Sequence, residues 1–252
     1  MTALEKSKHI KIFDLLDEQT VYPMKFKPHG RVILINNVKF DDAKYPERLG
    51  SEKDVEGITK LFTAFNFDVQ LYSNKTAEEM EDVILKEAAE STAREDCFVM
   101  FLMSHGVLGN IVGTDGEKLP YSTINTILQD SSQLKNKPKL IYVNACEANS
   151  DKEGKDGYFD APDLYVFFST VPGRLSYRTR DKGSYFIESL ISVYERNKER
   201  CDIFALSDQI ISQVSKKNEE NSKEIYQNYE EFAQIPSGSH KLTKKVILRT
   251  TD

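Results

Sequence analysis

The sequence predicts an α/β fold in which a mainly parallel sheet is sandwiched between two layers of helices. Apolar strands alternate with amphipathic helices along the chain, and several strands contain a continuous apolar run, as strands covered on both faces do. Polar residues stand directly after two of these strands. Because the chemistry of parallel sheets collects at the carboxyl ends of the strands, these residues are the first candidates for a functional site.

Each element follows from its hydrophobic period, since buried strands form continuous apolar runs and helices repeat every 3.6 residues. Thr76 and Glu79 have the spacing of a helix capping box, and we expect the same of Ser51 and Asp54. In chain order the predicted elements are strand 31–36, a helix from 51, strand 67–71, a helix from 77, strands 97–103, 140–144 and 164–170, helices 185–197 and 202–214, and strand 246–248.

The chain has 252 residues, of which 39% are hydrophobic, and this length and composition indicate a soluble globular protein with one large domain or two small ones. Charged residues of both signs are interspersed along the chain, and the net charge is −6. This distribution disfavours nucleic acid or a membrane as a partner. The run 97–103 is too short to cross a bilayer, and residues 1–17 lack the apolar segment of a signal peptide. Three widely spaced cysteines favour neither disulfides nor a metal site, so we expect no metal or cofactor and a cytoplasmic location.

Without their sequence context, His105 would be interpreted as an ordinary loop residue and Cys146 as a core thiol. Five motifs change that interpretation. In chain order they are Y-P-E-R-L-G around Arg48, F-L-M-S-H-G ending at Gly106, K-P-K-L-I-Y-V-N-A-C ending at Cys146, F-F-S-T-V-P-G-R-L-S-Y-R ending at Arg178, and I-P followed by L-T-K-K-V-I-L. Together they resemble the caspases, whose signature is Q-A-C-x-G with a histidine about 50 residues upstream. The resemblance covers about residues 22–248 and implies the caspase-like three-layer sandwich.

The resemblance implies a cysteine-peptidase mechanism at three positions. Cys146 is the expected nucleophile, which forms a thioester with the substrate, and His105 is the expected acid/base. The backbone N–H groups of Cys146 and Gly106 are expected to bind the oxyanion.

The resemblance also implies a pocket for aspartate at P1, the residue before the cleaved bond. Arg48 and Arg178 are expected to grip its carboxylate with paired hydrogen bonds. Asn144, Ser176 and Tyr177 are the other candidates for substrate binding. A family member with specificity for basic residues is excluded, because the two arginines would repel lysine or arginine at P1.

The chain divides by this resemblance into a large-subunit-like part (21–148) and a small-subunit-like part (163–252), joined by a short linker (149–162). Asp156, which precedes a glycine, is the candidate processing site in that linker. The extension 1–20 is too short for a recruitment domain, so an executioner-like layout is expected.

Besides the short extension, three parts of the sequence depart from the family pattern: the signature around Cys146, the linker and the expected dimer strand. Asn144 replaces a glutamine, Ala148 replaces a glycine, and Glu147 brings a carboxylate next to the nucleophile. If the Glu147 side chain faces the thiol, it raises the thiol pKa and weakens attack. The linker is short, and the expected dimer strand is polar. That strand consists of Ser237, Gly238, Ser239, His240 and Lys241.

Two functions remain open. The departures favour a degenerate caspase with little activity of its own, which regulates apoptosis by pairing with an active caspase. A polar edge strand disfavours self-pairing, so the homodimer is expected to be weak or absent. The alternative is an active executioner-type endopeptidase that cuts peptides after aspartate, because the His105–Cys146 pair, both arginines and Gly106 are retained.

Overall fold

A computed structural model describes residues 20–147, 159–225 and 233–250, so that Ala148, the processing candidate Asp156 and most of the linker lie outside the described residues. In chain order the elements are β1 (Arg31–Asn36), α1 (Ser51–Ala64), β2 (Asp68–Ser73), α2 (Ala77–Glu90), β3 (Phe98–Met103), β4 (Gly106–Val107), β5 (Asn110–Val112), β6 (Lys118–Pro120), α3 (Tyr121–Asp130), a 3-10 turn (Ser132–Leu134), β7 (Lys139–Asn144), β8 (Leu164–Phe168), β9 (Arg178–Thr179), β10 (Gly183–Ser184), α4 (Tyr185–Arg196), β11 (Cys201–Asp202), α5 (Ser207–Ile225), β12 (Ser237–His240) and β13 (Ile247–Leu248).

The central sheet has six strands in the order β12-β8-β7-β3-β1-β2. The pairs from β8 to β2 are parallel, and β12 alone runs antiparallel along the outer edge of β8. Strands β3 and β7 are buried at every position, which explains why β3 is apolar throughout and β7 is apolar between its end residues Lys139 and Asn144. The main sheet is therefore mainly parallel, as the sequence predicts.

Helices cover both faces of this sheet. One core cluster joins α1, α4 and α5 to alternate strand residues such as Phe101, Tyr142 and Phe167. The other joins α2 and α3 to the residues between them, such as Met100 and Ile141. The alternation follows from the two-residue repeat of a strand, and it confirms the predicted three-layer α/β sandwich.

The structure differs from the sequence prediction at the start of two helices. Thr76 and Glu79 form the expected capping box, but Ser51 and Asp54 do not. Helix α1 begins after Gly50, which is left-handed at φ 92° and provides no side-chain cap, and the Asp54 carboxylate bonds elsewhere. The helix predicted at 202–214 begins at Ser207 and continues to Ile225, because 201–202 pair with β13 as a short ribbon.

The sheet topology brings the candidate residues to one edge. His105 follows β3 and Cys146 follows β7, two strands that pair in parallel with Met103 opposite Asn144. Strand β1, on the other side of β3, ends at Asn36. The described helices include none that is long and apolar enough to cross a membrane.

Candidate active site

One open cavity of about 240 Å³ lies at the carboxyl edge of the sheet, between the ends of β3 and β7. The loop before α1 supplies one wall, and the segment that leads into β9 and β10 supplies another. Seven of the predicted site residues line it. They are Arg48, His105, Asn144, Cys146, Ser176, Tyr177 and Arg178.

The imidazole of His105 is half-buried and held in one orientation. Its Nε2 lies 2.7 Å from the carbonyl oxygen of Pro46, and its ring packs against the rings of Phe40 and Tyr45 at centroid distances of 4.8 and 5.4 Å. A carbonyl only accepts hydrogen bonds, so Nε2 carries the proton and Nδ1 is the basic nitrogen of the neutral ring. Burial lowers the pKa of His105, and the charges of Arg48 and Arg178 lower it further, against the opposing effect of the Pro46 bond.

Gly106 packs directly against the backbone of the candidate nucleophile. A Cβ at this position would lie 2.5 Å from the carbonyl oxygen of Cys146 and 2.8 Å from the Cβ of Ala145. The N–H of Val112 donates to the carbonyl of His105, and Gly106 is the next residue of the β4–β5 ladder. Bonded and non-bonded pairs alternate in antiparallel ladders, so the Gly106 N–H points away from β5.

The Cys146 sulfur is partly exposed and accepts a hydrogen bond from the backbone N–H of Ser176 at 3.5 Å. The other two cysteines, Cys97 and Cys201, are buried, and burial raises the pKa of both thiols. Of the three thiols, only Cys146 is therefore placed to react with a molecule in the cavity.

Arg48 is a buried cation, with 2% of its surface exposed. Its Nη1 donates to Oδ1 of Asn36 (3.2 Å) and to the carbonyl oxygen of Asn37 (2.7 Å), both at the end of β1. Burial, together with the nearby charge of Arg178, lowers the pKa of Arg48 to about 9. An anion between the two guanidinium groups would relieve that repulsion.

Arg178 reaches the cavity from β9, and its Nε donates to the carbonyl oxygen of Leu49 at 2.8 Å. Behind the arginines, Asp54 accepts from the N–H of Ser184 at 2.8 Å. Its Oδ2 has no hydrogen-bond partner among the described residues. Burial raises the pKa of Asp54 to about 6, although the Ser184 bonds and both arginines act in the opposite direction. The cavity therefore keeps a net positive charge even when Asp54 is ionised.

Asn144 takes part in a buried hydrogen-bond relay across the floor of the cavity. Its Nδ2 donates to Oγ of Ser184 at 2.9 Å, and its Oδ1 accepts from Oγ of Ser176 at 3.1 Å. The amide, although one methylene shorter than glutamine, thus links Ser176, on the segment that leads to Arg178, to Ser184 of β10, whose N–H donates to Asp54.

Glu147 does not face the thiol. Its side chain is 2% exposed and turns toward α3, where Oε1 accepts from the hydroxyl of Tyr121 at 2.8 Å and Oε2 from the N–H of Gly109 at 3.4 Å. Burial raises the pKa of Glu147 to about 7, and the two hydrogen bonds oppose this effect. The Glu147 carboxylate is therefore not placed to raise the pKa of the Cys146 thiol or to weaken its nucleophilic attack.

The predicted dimer strand forms an outer edge of the main sheet. All four residues of β12 are exposed, and Lys241, which follows it, donates its N–H to the carbonyl of Leu164. The ring of His240 packs on that of Phe204 at a centroid distance of 4.2 Å. The outward edge of β12 therefore presents small and polar side chains.

The sequence prediction missed several residues that support the site. Asn36 and Asn37 interrupt an apolar strand sequence at the sheet edge, and that interruption was a usable signal. Phe40 and Tyr45, which hold His105, and Gln234, which bonds the Ser176–Tyr177 segment, carry no comparable signal.

Comparisons with known proteins agree with this architecture. A family model described as "Caspase domain" matches residues 29–247. Caspase-7 of Gallus gallus is 30% identical over 89% of this chain and 79% of its own length. Caspase-8 of Mus musculus is 27% identical over 90% of this chain but 52% of its own length, and caspase drICE of Drosophila melanogaster is 26% identical over 92% and 72%.

The fold and the cavity define a homologue of cysteine peptidases, with a thiol and an imidazole at the carboxyl edge of a three-layer α/β sandwich. The match to the family model covers most of the chain, so the chain belongs to the caspase family.

Proposed function

We propose that this protein is an endopeptidase that cleaves peptides after aspartate, with Cys146 as the nucleophile. The main support is that Arg48 and Arg178 line the same cavity as Cys146 and His105. Two guanidinium groups in a half-buried cavity bind a carboxylate strongly and discriminate against the isosteric amide of asparagine.

The orientation of His105 suits the first chemical step. With its proton on Nε2, the neutral ring takes the thiol proton of Cys146 on Nδ1. The lowered pKa of His105 keeps the ring in this neutral form near neutral pH. The thiolate then adds to the scissile carbonyl, and the oxyanion is bound by the N–H groups of Gly106 and Cys146.

The remaining steps return the site to its starting state. The carbon–nitrogen bond breaks as Nδ1 of His105 gives its proton to the leaving amine, and the acyl group stays on the Cys146 sulfur as a thioester. Water, deprotonated by the same nitrogen, hydrolyses the thioester and releases the new carboxylate. The proton passes back to the thiol.

Two features that first suggested degeneracy weigh less in view of these contacts. Glu147 bonds Tyr121 and Gly109 rather than the thiol. Asn144 bonds both Ser176 and Ser184.

Labelling with a peptide fluoromethyl ketone that carries aspartate at P1 tests this proposal, with mass spectrometry to locate the adduct. We expect one adduct, on Cys146, and none in Cys146→Ala. The matched peptide with asparagine at P1 should label much more slowly. Equal labelling by both peptides, or an adduct on Cys97 or Cys201, would contradict the proposal.

The second candidate function is regulation of an active caspase by pairing, and the exposed polar strand β12 favours it. A weak homodimer leaves this edge open to a partner whose own edge strand is apolar. Co-sedimentation with an active caspase tests this: a mixed dimer with altered peptide turnover would support regulation. If the proteins sediment separately and turnover is unchanged, the regulatory candidate fails.

A further inference from the structure

Gln234 is a buried amide outside the cavity, three residues before β12, and its side chain contacts the segment that leads to Arg178. It is 1% exposed. Its Oε1 accepts from the backbone N–H of Tyr177 at 2.8 Å, and its Nε2 donates to the carbonyl of Ser169 at 2.8 Å and to Oγ of Ser176 at 3.4 Å. Every one of these bonds reaches the loop between β8 and β9.

The hydrogen-bond partners determine which atom of the Gln234 amide is the oxygen and which is the nitrogen. A backbone N–H only donates and a carbonyl only accepts, so the oxygen must face Tyr177 and the nitrogen must face Ser169. The backbone carbonyl of Gln234 is itself held by Nδ2 of Asn218, from α5, at 2.7 Å. Gln234 is therefore held both at its side-chain amide and at its backbone.

The same hydrogen bonds continue into the cavity. Ser176 accepts from Gln234, and its hydroxyl donates to Asn144, whose amide donates to Ser184. The backbone N–H of Ser176 contacts the sulfur of Cys146. A displacement of Ser176 would therefore move a donor away from the thiol and disturb the wall that carries Arg178.

We propose that Gln234 is a positioning residue that sets both the Ser176 donor on the Cys146 sulfur and the P1 specificity of the cavity. The inference rests on the proposed function. Gln234 touches neither the substrate nor the reacting atoms, and it acts through Ser176 and Tyr177. Its own place, beside the I-P sequence that precedes β12, gives no hint of this role.

Gln234→Glu is the sharpest test, because it replaces the Nε2 donor with an acceptor of the same shape, facing the Ser169 carbonyl. Gln133→Glu, at an exposed position of the 3-10 turn, is the matched control for the change of charge. Two readouts are measured for each protein: the rate of iodoacetamide alkylation of Cys146 against pH, and the ratio of inhibition constants for peptide aldehydes with aspartate or asparagine at P1.

In Gln234→Glu the new carboxylate repels the Ser169 carbonyl and no longer donates to Ser176, so that Ser176 is displaced. We expect the alkylation midpoint to move up by about half a pH unit or more, because the Ser176 N–H then moves away from the Cys146 sulfur. The preference for aspartate over asparagine should fall by about tenfold or more. The control should match the wild type in both. A folded Gln234→Glu protein with an unchanged midpoint and an unchanged preference would overturn the proposal.

Should Gln234→Glu fail to fold, Gln234→Met and Ser176→Ala provide a double-mutant cycle. If Gln234 acts through Ser176, the loss of selectivity in the double variant is smaller than the product of the single losses. Independent, multiplicative effects would overturn the proposal. A wild-type protein with no preference for aspartate would instead overturn the proposed function, so the two failures are distinguishable.

Discussion

We predict that replacing the buried carboxylate of Glu147 stabilises the protein, and that the gain in stability depends on pH. The change is Glu147→Gln, which keeps the shape of the side chain. A glutamine can still accept from Gly109 and donate to the Tyr121 hydroxyl, so neither partner is left unsatisfied.

The magnitude follows from the difference in pKa between the folded and unfolded chain. An ordinary glutamate has a pKa of 4.5, and at Glu147 burial raises it to about 7. The folded state therefore binds its proton more tightly, and the stability that this proton contributes is complete below pH 4.5 and lost as the pH rises through 7. At about 1.4 kcal/mol per pH unit, the loss amounts to about 3 kcal/mol.

Urea unfolding at pH 5, 6, 7 and 8 measures this effect. The free energy of unfolding of Glu147→Gln, minus that of the wild type, should grow by about 2.5 kcal/mol between pH 5 and pH 8. Glu56→Gln, an exposed position on α1, is the control and should show no such trend. A difference that stays constant with pH, or a variant that is less stable than the wild type at pH 8, would refute the reasoning.

Three further predictions concern the glycines at the site and the edge strand. Gly106→Ala should lower the alkylation rate of Cys146 about tenfold or more, since its Cβ would lie 2.5 Å from the Cys146 carbonyl oxygen; an unchanged rate in a folded variant would contradict this. Gly183 has a φ of +85°, and a Cβ at this position would lie 2.3 Å from Oδ1 of Asp54. Gly183→Ala should therefore lower the free energy of unfolding in urea by about 1–3 kcal/mol. A loss below about 0.5 kcal/mol would contradict this, because it would mean that the Asp54 side chain moves aside at little cost. The protein should sediment as a monomer at micromolar concentration, because β12 offers no apolar surface toward the roughly 1,000 Å² that a stable interface needs; a symmetric dimer paired through β12 would contradict this.

The sheet and its helices were predictable because strands that are buried on both faces appear in the sequence as continuous apolar runs. Strands β3 and β7 are buried throughout and largely apolar, and the residues that end them meet at one edge by the geometry of parallel pairing. The presence of His105 and Cys146 in one cavity therefore followed from periodicity, and the motifs supplied the chemistry.

The orientation of side chains was not predictable from the same pattern. Asp54 has the spacing of a capping residue, yet it bonds Ser184, 130 positions away in sequence. Glu147 is next to the nucleophile in sequence, but its carboxylate lies against Tyr121. Both side-chain orientations depend on contacts between segments that are distant in sequence, so they cannot be predicted from local residue spacing.

The central claim is that Arg48 and Arg178 make the cavity selective for aspartate. The most direct measurement is kcat/KM for two fluorogenic peptides that differ only in aspartate or asparagine at P1, for the wild type and for Arg178→Lys. The wild type should prefer aspartate by about a hundredfold or more, and Arg178→Lys, which loses the planar fork of donors, should lose about tenfold or more of that preference. Equal cleavage of both peptides by the wild type, or no cleavage of either, would contradict the claim.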